Sequence, residues 1–372
     1  MVVASAFVGL RPPRWERLDH LQPRSADFDR ALRDAQQDLG RRRSDNLLVA
    51  DPHASASVLW IDEQLEQGPR RTAGIVIAAR VDPRGNDRIV AHEQTFPEPV
   101  ARRVRTRNTL AVETVPTLLV LRDQVEVLTS LLGALPPPSL ERKDAAVGES
   151  IAPLAPELTD EIIRSIRGVP ALIADGHHRI AAAADVAAVA RGTAMAWLAA
   201  ADAPPRMLPV HRILHSWPLD ADRRLRDAGI QRTPMSGSPH PLHPVLVLAQ
   251  GAWALRVRRN SAAAAMLQQS FAPQVRDLPV ALAHVVLHDI LALGTRRAEI
   301  TTVTNAAAAL DAIGPDGSGG ALLACGPTLA EVWVAALAGV LMPPKATWFS
   351  PKPSSGAIVR PLSDAPSEQA AP

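Results

Sequence analysis

The sequence predicts an α+β protein, and three observations predict it. Apolar runs of strand length mix with helical stretches but do not alternate in steady strand–helix steps, which disfavours a doubly wound sheet. A hydrophobic content of 47% with mean hydropathy near zero fits an ordinary packed globular chain. A length of 372 residues is enough to bury a large core, in two domains or in one with a substantial extension.

Each element has a local reason. Met1 to Leu10 reads as a first strand stopped by Arg11-Pro12-Pro13; it lacks a basic leading stretch, so it does not read as a signal peptide. Phe28 to Leu39 has helical spacing with Asp27 placed to cap it. Leu47 to Ala50 is a short strand ending at Asp51-Pro52, and Val58 to Gln67 reads as a helix closed by Gly68-Pro69. A hairpin is expected from Ala73–Ala79, a turn at Asp82-Pro83-Arg84-Gly85, and Arg88-Ile89-Val90. Ala101 to Val112 is an amphipathic helix, and Pro116 to Leu121 a buried strand. The proline-rich stretch from Leu135 to Pro156 is the clearest break in composition, either an exposed connector or a polar strand pair.

Beyond that break, Pro170 to Asp175 reads as a strand, Ile180 to Ala190 as an alanine-rich helix, and Ala194 to Ala200 as another strand. Leu208 to Leu214 continues after Pro204-Pro205. Pro244–Leu248 and Trp253–Val257 form a hairpin around Gln250-Gly251. Val280–Leu293, Ala306–Ile313 and Leu329–Leu341 are helices; Ile300–Val303 and Gly320–Cys325 are strands.

Composition narrows the function classes. Arginine supplies nearly all the positive charge, since the only lysines are Lys143, Lys345 and Lys352; the formal net charge is only +2, too small to imply a polyanionic partner. The single cysteine, Cys325, excludes an intrachain disulfide and a thiolate metal cluster, and reads as a small core residue. No run approaches the length that spans a bilayer, so the expected location is the cytoplasm.

The segment Ala171-Leu172-Ile173-Ala174-Asp175-Gly176-His177-His178-Arg179 carries the most chemistry. An apolar strand stops at a glycine turn, and a helix begins with an acid, two imidazoles and a guanidinium crowded into five positions. Backbone N–H groups at a helix start carry about half a positive charge and hold anions such as phosphate. Arg179 and the histidines add charge-assisted donors there, and Asp175 supplies a carboxylate that can cap the helix or face a metal ion. Gly176 answers a backbone conformation or the close approach of a ligand. Capping alone needs one short oxygen-bearing side chain, so this loop exceeds what capping requires. Phosphate chemistry is the expectation.

Ala174-Asp175-Gly176-His177-His178-Arg179 resembles the hallmark of the domain-of-unknown-function 1015 family, whose core is ParB/sulfiredoxin-like. Three further segments match in order: His92-Glu93-Gln94-Thr95, Leu208-Pro209-Val210-His211-Arg212-Ile213-Leu214, and the C-terminal signature Met342 to Lys352 with Gly356. The chain departs from the family in lacking a Tyr-Asp pair near its start and in carrying Trp348 where tyrosine is common.

The resemblance implies a ParB/sulfiredoxin-like core with mixed sheets over residues 1–215, and a C-terminal α/β subdomain over residues 216–372 that packs back on it. In that wider group a Gly-x-x-Arg turn at a helix start binds nucleotide phosphates. Free serine kinases of the group carry a similar Asp-Gly-His-Thr-Arg, with a threonine where this chain has His178.

The resemblance therefore implies ATP or ADP and Mg²⁺ as cofactors. Gly176, His177, His178, Arg179 and Arg212 would hold the nucleotide. Asp175 and Glu93 would bind the metal, and Glu93, Asp175, His177 and Lys345 would be catalytic. Glu93 beside a phosphate is suited to accept a hydroxyl proton or to hold Mg²⁺, and the flexible ammonium of Lys345 to follow charge on a transferring phosphoryl group. A surface-loop role fits Lys352, and a hydrogen-bonded core histidine is the plainer reading of His211.

Other motifs carry less. His284-x-x-x-His288 has zinc-compatible spacing, but Val285 stands where a zinc protease has glutamate, so a packed helix is expected. Gly314 to Gly320 lacks the Gly-Lys-Ser/Thr ending of a P-loop. Arg41-Arg42-Arg43 and the arginines from Arg102 to Arg107 read as solvated or structural, and no aromatic interleaving supports nucleic-acid binding.

The expected function is a nucleotide-dependent phosphotransferase acting on a small hydroxyl-bearing metabolite, such as the free amino acid serine. Its partners are then that substrate and the nucleotide, with no membrane or nucleic acid and no oligomeric state specified. The alternatives are a non-enzymatic nucleotide-binding regulatory module, or hydrolysis of a phosphate ester at the same site.

Overall fold

The computed structural model describes residues 4–11, 18–22, 26–81, 89–123, 125–134, 138, 140–143, 147–200, 203–293, 299–313 and 319–362. They divide into two compact units: residues 1–91, 95–205 and 351–372 make the first, and residues 92–94 and 206–350 the second. Mixed sheets and helices make the fold α+β.

Unit 1 contains β1 (Ala4–Ser5), β2 (Leu10–Arg11), α1 (Phe28–Ser44), β3 (Val49–Ala50), β4 (Ser57–Leu65), β5 (Gly68–Arg80), β6 (Ile89–Val90), α2 (Pro97–Leu110), β7 (Val112–Glu113), β8 (Thr117–Leu121), α3 (Glu126–Ala134), β9 (Leu140–Lys143), β10 (Val147–Pro153), α4 (Pro156–Ile166), β11 (Ala171–Asp175), α5 (His177–Ala184) and β12 (Thr193–Ala199). Among the described residues its main sheet runs β6-β11-β8-β12-β5-β4-β10-β9, with β1 added on β5. The β11–β6 and β12–β8 pairs are parallel, and the remaining pairs of this sheet are antiparallel.

The inner strands are apolar along their whole length because both faces are covered: every residue of Thr117–Leu121 is buried, as are Ala171–Ala174. Helix α1 starts where Asp27 accepts a bond from the Arg30 N–H at 3.1 Å, as its sequence predicts.

Three local expectations are corrected. Val58 to Gln67 is not a helix: Ser57–Leu65 is a strand that turns through Glu66-Gln67 and pairs with β5, Leu65 opposite Gly68. The reason lies across the turn. Val58, Leu59, Trp60 and Ile61 are buried between two neighbouring strands, and Asp62 meets Arg71 directly opposite, with bonds of 2.7 and 2.8 Å. The Gly68-Pro69 stop therefore closes a hairpin, not a helix. Ala73–Ala79 accordingly belongs to β5, and Ile89–Val90 pairs with β11, not with β5; the expected turn at Asp82–Gly85 lies outside the described residues. The helix expected at Ile180–Ala190 begins at His177 and ends at Ala184. The buried guanidinium of Arg107 pulls the following chain into a turn, holding the carbonyls of Val189, Ala190 and Thr193 at 2.8, 3.0 and 2.7 Å. The stretch left open between Leu135 and Pro156 contains the strand pair β9–β10.

Unit 2 contains β13 (Arg206–Leu208), β14 (His211–Leu214), α6 (Ala221–Asp227), β15 (Ile230–Pro234), β16 (Val245–Leu248), β17 (Gly251–Val257), α7 (Ala262–Ser270), α8 (Pro273–Arg276), α9 (Pro279–His284), β18 (Ile300–Val303), α10 (Ala306–Asp311), β19 (Gly320–Leu323), α11 (Leu329–Leu337) and β20 (Trp348–Ser350). Among the described residues its larger sheet runs β15-β17-β16-β19-β14-β18, all antiparallel, and β13 pairs with β20. Ile213, Val245, Ala309, Ala321 and Leu323 form its sheet-side core. Most of the expected Gly314–Gly320 loop lies outside the described residues.

The chain then returns to unit 1 through Pro351–Leu362, which adds β21 (Arg360–Pro361) against β7. The second unit thus takes up the chain again at 206, and the last described residues belong with the first unit. The reason is pairing: Arg206–Leu208 bonds to Trp348–Ser350, whereas Val359 exchanges 2.8 Å backbone bonds with Leu10.

Candidate functional site

In unit 1 the loop after β11 is built by one glycine. Gly176 has φ of +98°, a left-handed conformation that side chains resist, and it turns the strand end into the start of α5. A Cβ there would also meet the guanidinium of Arg179, 2.6 Å from Nη2 and 2.7 Å from Nε. The N–H groups of Arg179 and Ile180 both return to the Gly176 carbonyl, at 2.8 and 3.0 Å.

Asp175 does not cap the helix. Its carboxylate lies between two cations: Arg179 Nη2 donates to one oxygen at 2.8 Å, and Lys352 Nζ to the other at 2.6 Å. Burial opposes ionisation of this carboxyl, but the charges of Arg179 and Lys352, the Lys352 hydrogen bond and the charge of His177 outweigh it. The pKa falls below the usual carboxylate range. Arg179 Nε is buried with no hydrogen-bond partner among the described residues.

The two histidines differ. His177 is buried. His178 accepts the backbone N–H of Phe96, at the start of α2, on Nε2 at 3.1 Å, and its ring stacks on the Phe96 ring with centroids 6.2 Å apart. Accepting on Nε2 leaves the proton of the neutral ring on Nδ1. His178 therefore also ties α5 to α2.

In unit 2 the segment His92–Gln94 lies with the C-terminal signature. His92 is buried; its Nε2 shares a 2.8 Å bond with Thr347 Oγ1, and its carbonyl accepts the Met342 N–H at 2.7 Å. Glu93, next in sequence, is half-buried. Lys345 is exposed, and its carbonyl accepts Arg212 Nη2 at 3.0 Å. Arg212 is buried and also donates to the Val210 carbonyl; burial pushes its pKa down to about 10. His211 is a core histidine, as its plainer reading has it: Nδ1 accepts the Ala324 N–H at 3.3 Å, and burial and the Arg212 charge lower its pKa.

Asp175, Gly176, His177, His178 and Arg179 thus stand together in unit 1, and Glu93, Arg212 and Lys345 belong to unit 2. Lys352, a loop residue by sequence, stands in the same signature as Lys345, and that shared place is the signal in the sequence for it.

A metal ion finds little here. Among the described residues no group of three or more His, Cys, Asp and Glu side chains is placed to hold one. Both oxygens of Asp175 already have a cation, so it does not fit the role of a metal ligand. His284 and His288 pack ring on ring at 4.4 Å, with His288 Nδ1 bonded to the Leu293 carbonyl at 2.8 Å. Cys325 is half-buried, and burial pushes its thiol pKa up, which makes it a poor nucleophile. No helix among the described residues is long and apolar enough to cross a membrane.

Among known proteins, a family model described as "Protein of unknown function (DUF1015)" matches residues 9–281. No curated protein matches the sequence. Among solved structures, a free serine kinase in complex with AMP is similar at 14% identity and a TM-score of 0.41, over 73% of this chain and 89% of that one. SbnI with a C-terminal truncation, from Staphylococcus aureus, is similar at 8% and 0.45, over 79% and 90%. A conserved hypothetical protein from Pyrococcus furiosus is similar at 16% and 0.41, over 75% and 94%.

Proposed function

We propose, for a chain that belongs to the DUF1015 family, a nucleotide-dependent phosphotransferase acting on a small hydroxyl-bearing metabolite, with a free amino acid such as serine as the nearest candidate. One observation carries the reading: at the start of α5 a single carboxylate, Asp175, is bonded to two cations, Arg179 and Lys352. Two cations against one acid leave a surplus positive charge beside a helix N-terminus, which is the arrangement that holds a phosphate.

The roles follow from the charges. Asp175, held ionised by its neighbours, is a weak base, so its work is to aim Arg179 and Lys352. Their donors, with the backbone at Gly176–His178, would grip the phosphates of ATP or ADP, and Lys352 joins the residues expected from the sequence. Phosphoryl transfer asks mainly for positioning and electrostatic stabilisation, which such a loop supplies. Glu93 as proton acceptor and Lys345 as a second cation are assigned on the sequence signature, as is the ParB/sulfiredoxin-like character of the core. No step is assigned to a metal held by the protein alone. Mg²⁺ commonly binds through substrate phosphates and would enter with the nucleotide.

The test is incubation of the protein with ATP or ADP, Mg²⁺ and a panel of hydroxyl-bearing metabolites, followed by ³¹P NMR, beside calorimetric titration with ADP. Turnover that falls at least tenfold in Glu93→Gln supports the proposal. Absence of both binding and turnover rejects it. Binding without turnover transfers the site to the second reading, a nucleotide-binding regulatory module. That reading is favoured by the full occupation of Asp175 by side-chain cations.

A further inference from the structure

Glu149 is an acid in the middle of a sheet strand, on β10, and it is only 1% exposed. Acids are almost never buried so fully unless they are paired. Arg142, directly opposite on β9, pairs with it, donating Nε and Nη2 to Oε2 at 3.2 and 3.0 Å. That pair by itself balances the charge. Yet Ser354, in the returning C-terminal segment, gives both its donors to the same carboxylate: the N–H to Oε1 at 2.9 Å, and the hydroxyl to Oε2.

Ser354 stands two residues after Lys352, whose ammonium meets Asp175 Oδ1 at 2.6 Å. Pro351 and Pro353 flank that lysine. A proline ring fixes its own φ and confines the residue before it to extended backbone, so the stretch from Lys352 to Ser354 is stiff. Its far side is fastened too: the Ser355 carbonyl accepts the Leu18 N–H at 3.4 Å, and the Gly356 N–H reaches the Thr114 carbonyl at 3.0 Å. A lysine side chain is flexible, and ordering it costs entropy. A stiff segment with one end fixed limits where its ammonium can stand. Net stability is a weak reason for such an anchor, because a buried ion pair gains little over apolar side chains of the same volume.

We infer that Glu149 is a positioning residue for the Asp175–Arg179 loop: acting through Ser354, it fixes the segment that sets the Lys352 ammonium beside Asp175. It works at a distance from any ligand, since Arg142 and Ser354 take up its carboxylate. With Lys352 so placed, an anion at Gly176–Arg179 meets two cations in a constant arrangement. This deepens the phosphotransferase reading and rests on it for the identity of the anion, though not for the placing of Lys352.

The test uses the full chain. Lys352→Ala removes the ammonium. Glu149→Met combined with Arg142→Met removes the anchor and fills its space with apolar side chains, an exchange that buried ion pairs tolerate well. Ser354→Ala, which deletes only the hydroxyl donor, serves if that double variant does not fold. The first readout is the titration of the Asp175 carboxyl by ¹³C NMR, which follows folded molecules and so ignores a mere loss of stability. Arg179, Lys352 and His177 are the charged groups acting on Asp175. Loss of Lys352 should therefore raise its pKa, the anchor variant should raise it by most of that amount, and Ser354→Ala by less. Asp175 titrating in the anchor variants as it does in the unaltered protein overturns the inference. The second readout is calorimetric titration with pyrophosphate and with ADP. Affinity should fall roughly tenfold in Lys352→Ala and in the double variant, and no further when all three changes are combined, because one acts through the other. Additive losses overturn the inference as well. If the unaltered protein binds neither probe, the phosphotransferase reading fails separately, and the Asp175 titration still decides the role of Glu149.

Discussion

Asp175 holds a charge whose sign and surroundings can be measured. Its pKa is lowered in the folded chain, so its ionised form stabilises the fold above the ordinary carboxylate value of roughly 4. That contribution disappears as pH falls through the lower folded value. Asp175→Asn should cost about 1–3 kcal/mol at neutral pH, by removing charge-assisted bonds to Arg179 and Lys352. In urea titrations the gap between the two proteins should narrow as pH falls below the ordinary carboxylate value; a gap as wide in acid as at neutrality would contradict the ion-pair account. The type and crowding of these residues were legible in the sequence. Their partners were not: Lys352 lies 177 positions from Asp175, and no local rule brings them together. Likewise, the sequence marked Arg212 as a cation, but its bond to the Lys345 carbonyl depends on where β14 runs.

At the scale of single elements, the strands and helices read well where one local signal dominated. Asp27 caps α1, and the hairpin around Gln250-Gly251 pairs Leu248 with Gly251 as expected. Val58–Gln67 is strand rather than helix because a run ending in Gly-Pro fits a helix and a hairpin equally until its neighbours are known. Sheet partners decided it, and Trp197 shows how tightly. Its indole, on β12, crosses β5 over Gly74 and donates to the Leu59 carbonyl on β4 at 3.0 Å. A Cβ on Gly74 would lie 2.5 Å from the indole Nε1 and 2.6 Å from the Leu198 carbonyl oxygen. Gly74→Ala should therefore cost about 1–3 kcal/mol by overpacking and should shift tryptophan fluorescence. An unchanged denaturation midpoint would show that the sheet yields there more easily than this packing allows.

At the scale of the molecule, the return of Pro351–Leu362 to unit 1 matters most. Ser354 donates its N–H to the buried Glu149 at 2.9 Å and its hydroxyl to the same carboxylate. Arg360, also buried, donates to Glu113 and to Thr193 Oγ1, both at 2.8 Å. A protein ending at Ser350 would leave Glu149 and Glu113 with fewer donors and would lose at least about 3–5 kcal/mol, the range for breaking one buried ion pair, here Arg360–Glu113, with the lost burial of Ile358, Val359 and Leu362 adding to it. Faster hydrogen exchange along β7 and β10 would report it, and protection equal to that of the full chain would refute it. The amino-acid sequence by itself determined the α+β class, most element positions and the crowding of an acid, two imidazoles and a guanidinium at Asp175 to Arg179. It could do so because periodicity, caps and residue types are properties of neighbours along the chain. Only the tertiary structure decided which strands pair, that the last segment belongs with the first unit, and that Lys352 joins Asp175. Those outcomes depend on hydrogen bonds and ion pairs between residues far apart in sequence, which form only once the backbone has brought them within reach.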